Sequence, residues 1–478
     1  MEEAFADIAA SNDMMGGSLV VYCEDGIIAE VTVGMADFAR GIPITIDTKY
    51  RIASISKTVT AIAVMQLVEQ GLLSLDDSLS SVLGYSVVNP FFPDSVITID
   101  MLLSHRSSII DGSTYADFLG ATVNDNPIPS LSELLTPTGG YYSSSQFNTI
   151  EPGTYFNYSN VNFVILGTVV EQISGLRFDA YVKQFISDPL ELDASFNVND
   201  LLNIDQVAVL YRKPGGVWTP QQDNFLGVQP EFTNLEGYIP GTNGGRFGPQ
   251  GGFRSSAKDL AKLFLLLMNQ GSFEGVTLLS PESCEALLAE QWTFDGSNGN
   301  TLGGLFLSWG RGVHRITATP GADIALPNSD AMVGHAGEAY GLVSDAFFDA
   351  ERKAGFIFLT NGVGNGYATN DTSAFYTVEQ EVFQAIEDYA DIAQCNTLST
   401  TEQAIAFLKP FPNPTQDVLF LPECEQLENC EVNIYSIDGR RLNAEVFSVE
   451  KGNISLAALP EGIYVVRVNG RNHLIVKK

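Results

Sequence analysis

Ser54-Ile55-Ser56-Lys57 places a hydroxyl and an amine three positions apart at the opening of a helical run that extends through residues 58–70. Residues three apart on a helix share a face, so the Lys57 amine can reach the Ser54 hydroxyl within one turn. That pairing is the chemistry of an acylatable serine with its own base. A helix start adds two effects: its free backbone N–H groups can bind an oxyanion, and the positive end of its dipole disfavours a protonated lysine. Burial acts in the same direction, toward the neutral amine that a general base requires. Spacing alone does not select this serine, because S-x-x-K recurs at Ser255 to Lys258 and at Ser448 to Lys451.

An acyl-transfer centre also needs a second proton carrier and oxyanion donors that meet the nucleophile in space. Tyr155-Phe156-Asn157-Tyr158-Ser159-Asn160 holds two overlapping Y-x-N sequences, and Tyr158 with Asn160 is preferred because a helix begins at Asn160. His335-Ala336-Gly337 precedes a strand pair, and its glycine would let a substrate lie against the strand edge. Lys353-Ala354-Gly355 competes with it but falls in a turn between strands, where a lysine solvates the loop.

The elements that carry these groups follow from patterning. Residues 18–23 and 27–34 are β-rich runs joined at Glu24-Asp25-Gly26, which predicts a hairpin. Helices are expected over 54–70, 99–104, 160–174 and 256–269, three of them ending at Gly71, Gly175 and Gly271. The stretch 196–251 is rich in Gly, Pro, Asn and aromatics, too long for a simple connection, and could wall a substrate cleft. Residues 341–348 and 355–360 predict a second hairpin. A helix over 377–390 then sets Val378, Val382, Phe383, Ile386 and Tyr389 on one stripe suited to packing on that sheet. Strands at both ends with helices between them predict an α+β fold whose first and last segments share one antiparallel sheet. This main domain covers 1–394 and is followed by a linker at 395–410. A small all-β sandwich is expected over 411–478, its start marked by the proline-rich Pro410 to Pro414.

The chain has 478 residues and a net charge of −32, and residues 1–410 hold 48 acids against 18 bases. Such a field repels nucleic acid and anionic membrane surfaces and favours solubility in a salty medium. No apolar run reaches eighteen residues, so no membrane span is expected. Met1-Glu2-Glu3-Ala4-Phe5 lacks the basic and apolar regions of a leader peptide. Five cysteines without C-x-x-C spacing exclude a disulfide scaffold. Cys424 and Cys430 could pair, whereas Cys23 and Cys284 read as ordinary buried thiols. Four scattered histidines, none at ligand spacing with another, argue against a metal, and no cofactor is expected.

The order S-x-x-K, Y-x-N, H-x-G resembles the serine β-lactamase-related hydrolases, a family of class C β-lactamases, D-Ala-D-Ala carboxypeptidases, D-aminopeptidases and esterases. The resemblance spans most of residues 5–390. It includes Gly41 to Thr45, Tyr50 to Ala53, Leu102-Leu103-Ser104-His105, Pro189 to Leu192 and Gly251 to Leu260, which makes Ser255 a structural serine. It implies a β-lactamase/transpeptidase-like antiparallel sheet with a helical subdomain. It also implies that Ser54 is acylated, that Lys57 takes or relays its proton, and that Tyr158 is the general base or the acid for the leaving group. Asn160 would orient the substrate amide and Lys57. Backbone N–H groups of Ser54 and Glu338, the latter just after Gly337, would form the oxyanion hole. His105 is implied to support a helix end.

Two departures from the β-lactamases narrow the substrate. His335 replaces the lysine of K-T-G and is only partly charged at neutral pH. Ala336 lacks the hydroxyl that would bond the same β-lactam carboxylate. An esterase or a peptidase of D-residues is therefore expected, with a true β-lactamase or penicillin-binding DD-carboxypeptidase, and a catalytically silent binding protein, as alternatives. The partner is then a small acyl or peptide substrate.

Residues 411–417, 432–440 and 459–468 resemble the sorting domain of the bacterial type IX secretion system. That resemblance implies contact with the secretion machinery through residues 411–478 and a secreted or surface location in a Gram-negative bacterium. Export requires a leader, which is expected to have been removed from this chain. A carbohydrate-binding sandwich is the competing reading, but Tyr435 and Tyr464 fall inside strand patterns and offer no exposed platform.

Overall fold

The structure is a computed structural model that describes residues 1–24, 26–231, 235–326, 329, 332–390, 395, 418–420, 432–436, 441–442, 448–450, 453–468 and 471–477. Contacts divide the chain into two units, Met1–Cys395 and Asn396–Lys478.

A nine-stranded antiparallel sheet organises the first unit. Its strands in chain order are β1 (Met14–Cys23), β2 (Gly26–Asp37), β3 (Ile42–Pro43), β4 (Trp292–Thr293), β5 (Ser308–Trp309), β6 (His314–Arg315), β7 (Met332–Ala339), β8 (Leu342–Asp349) and β9 (Ala354–Val363). In space they run 4-5-6-7-8-9-1-2-3, so the N-terminal hairpin joins the C-terminal one through β1 and β9. The expected sharing of one sheet by the two ends of the chain is what forms.

Alternation along the strands separates two cores, because successive side chains point to opposite faces. Val20, Tyr22, Ile357 and Leu359 face the helical side. There they pack with Leu260, Leu263 and Phe264 of a helix over Ala257–Met268. Leu19, Val21, Phe356 and Phe358 face the other side. They meet Phe5 of α1 (Glu2–Ser11) and Val378, Val382, Phe383 and Ile386 of the helix Thr377–Tyr389. Tyr389, expected on that stripe, is 61% exposed, and the next residue, Ala390, is the one buried in this core.

Two further helices carry the chemistry-bearing residues. The first, α2, spans Ser56–Glu69 and is buried on nearly every side. The second, α3, spans Asn160–Ser174 and ends as expected on Gly175, which adopts the left-handed conformation that caps helices. The helix expected from Ser54 begins two residues later: Ala53–Ile55 form a 3₁₀ turn, and Ala53 has φ +48. A left-handed alanine is uncommon, and it bends the chain sharply just before the serine.

Cys23 is not a free thiol. It is bonded to Cys395, 372 positions away, and so ties the end of β1 to the end of the unit. Both side chains are nearly buried, and a separation of that size leaves no local signature in the sequence. Cys284 is the free buried thiol that was expected. Cys424 and Cys430 lie outside the described residues, as do residues 411–417 of the sorting resemblance.

The second unit contains two three-stranded antiparallel sheets, one of Val418–Phe420, Ser448–Glu450 and Asn453–Ser455, the other of Val432–Ser436, Gly462–Val468 and Arg471–Lys477. Leu419 and Ile454 of the first pack with Ile434, Tyr464 and Val466 of the second. This is the layered arrangement of a small sandwich.

Candidate active site

Lys57 is the centre of the site. Its Nζ lies 3.0 Å from Ser54 Oγ, 2.9 Å from Asn160 Oδ1 and 2.8 Å from the Gln250 carbonyl oxygen. The side chain is fully buried, and desolvation pushes its pKa down to about 7. An amide oxygen and a main-chain carbonyl accept hydrogen bonds and cannot donate. A neutral Lys57 therefore gives its two N–H groups to them and keeps its lone pair for the Ser54 hydroxyl.

Tyr158 flanks the pair: Lys57 Nζ lies 4.9 Å from the centre of its ring. Burial raises the Tyr158 pKa further above its ordinary value, so the resting group is a phenol. It is equipped to hold or pass on a proton. Asn157 of the competing pair donates its backbone N–H to the His105 carbonyl, 2.9 Å away.

His105 shapes the start of α3. Its Nδ1 accepts the N–H of Ser159, the residue capping that helix, at 3.2 Å, and its ring packs on Tyr158 with centroids 4.4 Å apart. This matches the supporting role expected of it. Asp111, which the sequence reading did not single out, accepts from Asn160 Nδ2 at 2.9 Å and from the Val161 N–H at 2.8 Å.

Strand β7 supplies the third segment. Val343 exchanges bonds with the Thr360 hydroxyl and so directs its polar groups toward β9. Its partner Glu338 consequently belongs to a non-hydrogen-bonded pair and turns its N–H and C=O to the other edge of β7. Strand β6 covers that edge only at Val333 and Gly334. A Cβ added to Gly337 would stand 2.4 Å from Ser344 Oγ, 2.8 Å from the Ile52 carbonyl oxygen and 3.2 Å from the Ser54 nitrogen. The glycine is thus required by the protein's own chain, which brings the Ser54 N–H against the β7 edge. Ser344 Oγ ties the two segments by donating toward the carbonyls of Ile52 and Gly337, at 3.2 and 3.1 Å.

The long segment expected to wall the site contributes its last residues. Pro249 accepts from Thr60 Oγ1 at 2.8 Å, Gly251 accepts from Arg51 Nε at 3.2 Å, and Gln250 holds Lys57. A main-chain acceptor has no side-chain signature, so nothing in the residue type could have marked Gln250.

His335 differs from expectation in charge. Burial, reinforced by nearby Lys57, holds its pKa well below 6.5, so it is neutral rather than partly charged at pH 7. Its Nδ1 faces the Ala336 carbonyl oxygen, which can only accept. Nδ1 therefore carries the hydrogen, and Nε2 presents a lone pair that meets no partner among the described residues. Three of the four histidines, scattered in sequence, converge on Trp309, with ring centroids 5.1 Å away for His105, 5.3 Å for His335 and 6.0 Å for His314.

The rival S-x-x-K at Ser255 has a different setting. Lys258 is paired with Asp47 at 3.0 Å, and the buried Ser255 hydroxyl donates to the Ser256 carbonyl. Lys353 of the rival triplet lies in the β8–β9 turn, paired with Glu24.

The chain is similar in sequence and fold to several known proteins. Penicillin-binding protein 4 of Amycolatopsis lactamdurans is 26% identical over 292 residues, covering 61% of this chain and 69% of its own length. The octameric penicillin-binding protein homologue from Pyrococcus abyssi superposes with a TM-score of 0.60 at 21% identity, covering 99% of this chain and 88% of that one. The D-amino acid amidase from Ochrobactrum anthropi SV3, complexed with L-phenylalanine amide, gives 0.58 at 19% identity, covering 83% and 98%. These likenesses establish a β-lactamase/transpeptidase-like fold with a small β-rich region after it. Residues 409–478 match the model of a secretion system C-terminal sorting domain, which implies export to the cell surface or beyond. The serine, lysine, tyrosine and strand edge just described fall within a match to the Beta-lactamase model over residues 1–376, and the chain belongs to that family.

Proposed function

We propose that this protein is a secreted serine hydrolase that works through an acyl-enzyme on Ser54, acting as an esterase or a peptidase of D-amino-acid substrates. One observation carries the reading: a buried lysine whose two fixed acceptors leave its lone pair on the Ser54 hydroxyl. Ser54 Oγ attacks the substrate carbonyl carbon while its proton passes to Lys57. The oxyanion forms opposite the N–H groups of Ser54 and Glu338. Tyr158, between Lys57 and the departing atom, delivers that proton to the leaving group as the tetrahedral intermediate collapses. Water, deprotonated by the same pair, then releases the acid and restores Ser54. Asn160 orients both Lys57 and the substrate amide. The sorting unit engages the type IX machinery of a Gram-negative bacterium.

The choice of ester or D-amino-acid substrates over β-lactams rests on His335 and Ala336. A neutral imidazole and a methyl group offer no cation or hydroxyl to a β-lactam carboxylate. Intact mass measured after exposure to an activated short-chain ester and to a penicillin separates the readings. The proposal expects a Ser54 adduct with the ester and slow or no reaction with the penicillin. A lasting penicillin adduct would instead mark a penicillin-binding DD-carboxypeptidase. Rapid turnover of a chromogenic cephalosporin with poor ester activity would mark a true β-lactamase, and absence of any adduct a silent binding protein.

A further inference from the structure

Asp111 lies in the loop between the helices Ile99–Leu103 and Tyr115–Asn124 and meets two donors at the start of α3. A carboxylate only accepts, so the Asn160 amide must turn its NH2 end to Asp111 and its oxygen to Lys57. Were that amide reversed, its NH2 would face Lys57 and compete for the lone pair that otherwise serves Ser54. The Gln250 carbonyl cannot correct this, because it fixes only one of the two N–H directions.

We infer that Asp111 is a positioning residue which, by fixing the orientation of the Asn160 amide, keeps the Lys57 lone pair on Ser54. The inference rests on the acyl-enzyme reading of Ser54. It concerns a loop residue 49 positions from Asn160, outside the three motifs. Electrostatics points the same way. The titratable groups around Lys57 are Tyr158, His105, His335 and Asp111, and burial keeps the tyrosine and both histidines neutral. Asp111 is the charged member of the set, and it opposes the downward effect of burial on Lys57.

A purely structural role is the rival explanation, since Asp111 also caps α3 through the Val161 N–H. Asp111→Asn separates the two roles, because one amide oxygen can still serve Val161 while its NH2 end confronts Asn160. Ser54 acylation by an activated ester is expected to slow by roughly tenfold or more. The Lys57 titration midpoint, followed by NMR on labelled lysine in the resting protein, is expected to move down. In an Asn160→Ala background the same substitution is expected to change acylation less than about twofold, because the group it acts through is gone. Full multiplication of the two effects, or an unmoved Lys57 midpoint with a rate loss that only tracks a lower Tm, would overturn the inference. Failure of the wild-type protein to acylate would defeat the acyl-enzyme reading itself, whereas wild-type acylation with full multiplication of the two effects would defeat only the role inferred for Asp111.

Discussion

Lys57 binds a proton less readily in the fold than in the unfolded chain, with a pKa near 7 against 10.5. Two outcomes follow at the scale of this residue. First, acylation requires the neutral amine, so its rate is expected to rise with unit slope through about pH 7 and to stay level to beyond pH 10, because burial holds the Tyr158 phenol protonated. A stopped-flow profile with one ester reads this directly. Second, the unfolded chain takes up a proton between about pH 10.5 and 7 that the folded chain refuses. The stability penalty therefore grows as pH falls through that window and is constant below it. Lys57→Met removes the penalty, on the order of a few kcal/mol. It should abolish acylation while raising Tm at pH 6, with the gain vanishing toward pH 10.5.

At the scale of the element, the junction between the 3₁₀ turn and β7 governs the site. Gly337→Ala is expected to push the Ile52 to Ser54 segment off the strand, lowering stability by roughly 1 to 3 kcal/mol and acylation by about a hundredfold. Thermal melts and burst kinetics on the same sample check both. The helices and hairpins that carry the site were legible from sequence because they follow local rules. Gly175 closes α3, and alternation in 341–348 and 355–360 marks the β8–β9 pair. What escaped depends on groups that meet only in the folded chain. Ala53 takes a left-handed φ that alanine does not advertise, Gln250 acts through its carbonyl, and Asp111 is an acid in a loop like many others here. His335 was singled out from its triplet, but its charge could not be read without knowing that it is buried beside Lys57. The Cys23–Cys395 bond was missed for the same reason.

Over the whole first unit, buried acids and buried histidines pull stability in opposite directions with pH. Burial raises Glu171 to about 7 and Glu379 to about 8, and raises Asp345 as well. The folded chain holds these protons after the unfolded chain has lost them, so stability falls as pH rises from about 4 through 8. His105, His314 and His335 are depressed, so stability also falls as pH drops below about 6.5, where the unfolded chain takes up protons the fold refuses. The two effects offset each other between about pH 4.5 and 6.5, and Tm from circular dichroism is expected to be higher there than at pH 8. The disulfide adds a separate term. Cys395→Ser should cost roughly 2 to 4 kcal/mol, and dithiothreitol should lower the Tm of the wild-type unit but not of the variant.

The pairing of β1 with β9 also sets a clock. Val20 faces Ile357 across the sheet, so a chain emerging from its N-terminus cannot complete the layer until more than three hundred further residues have followed. Contacts so distant in sequence form slowly. The first unit therefore closes its sheet only once the strand ending at Val363 has been made, 46 positions before the segment that matches the sorting-domain model begins at residue 409.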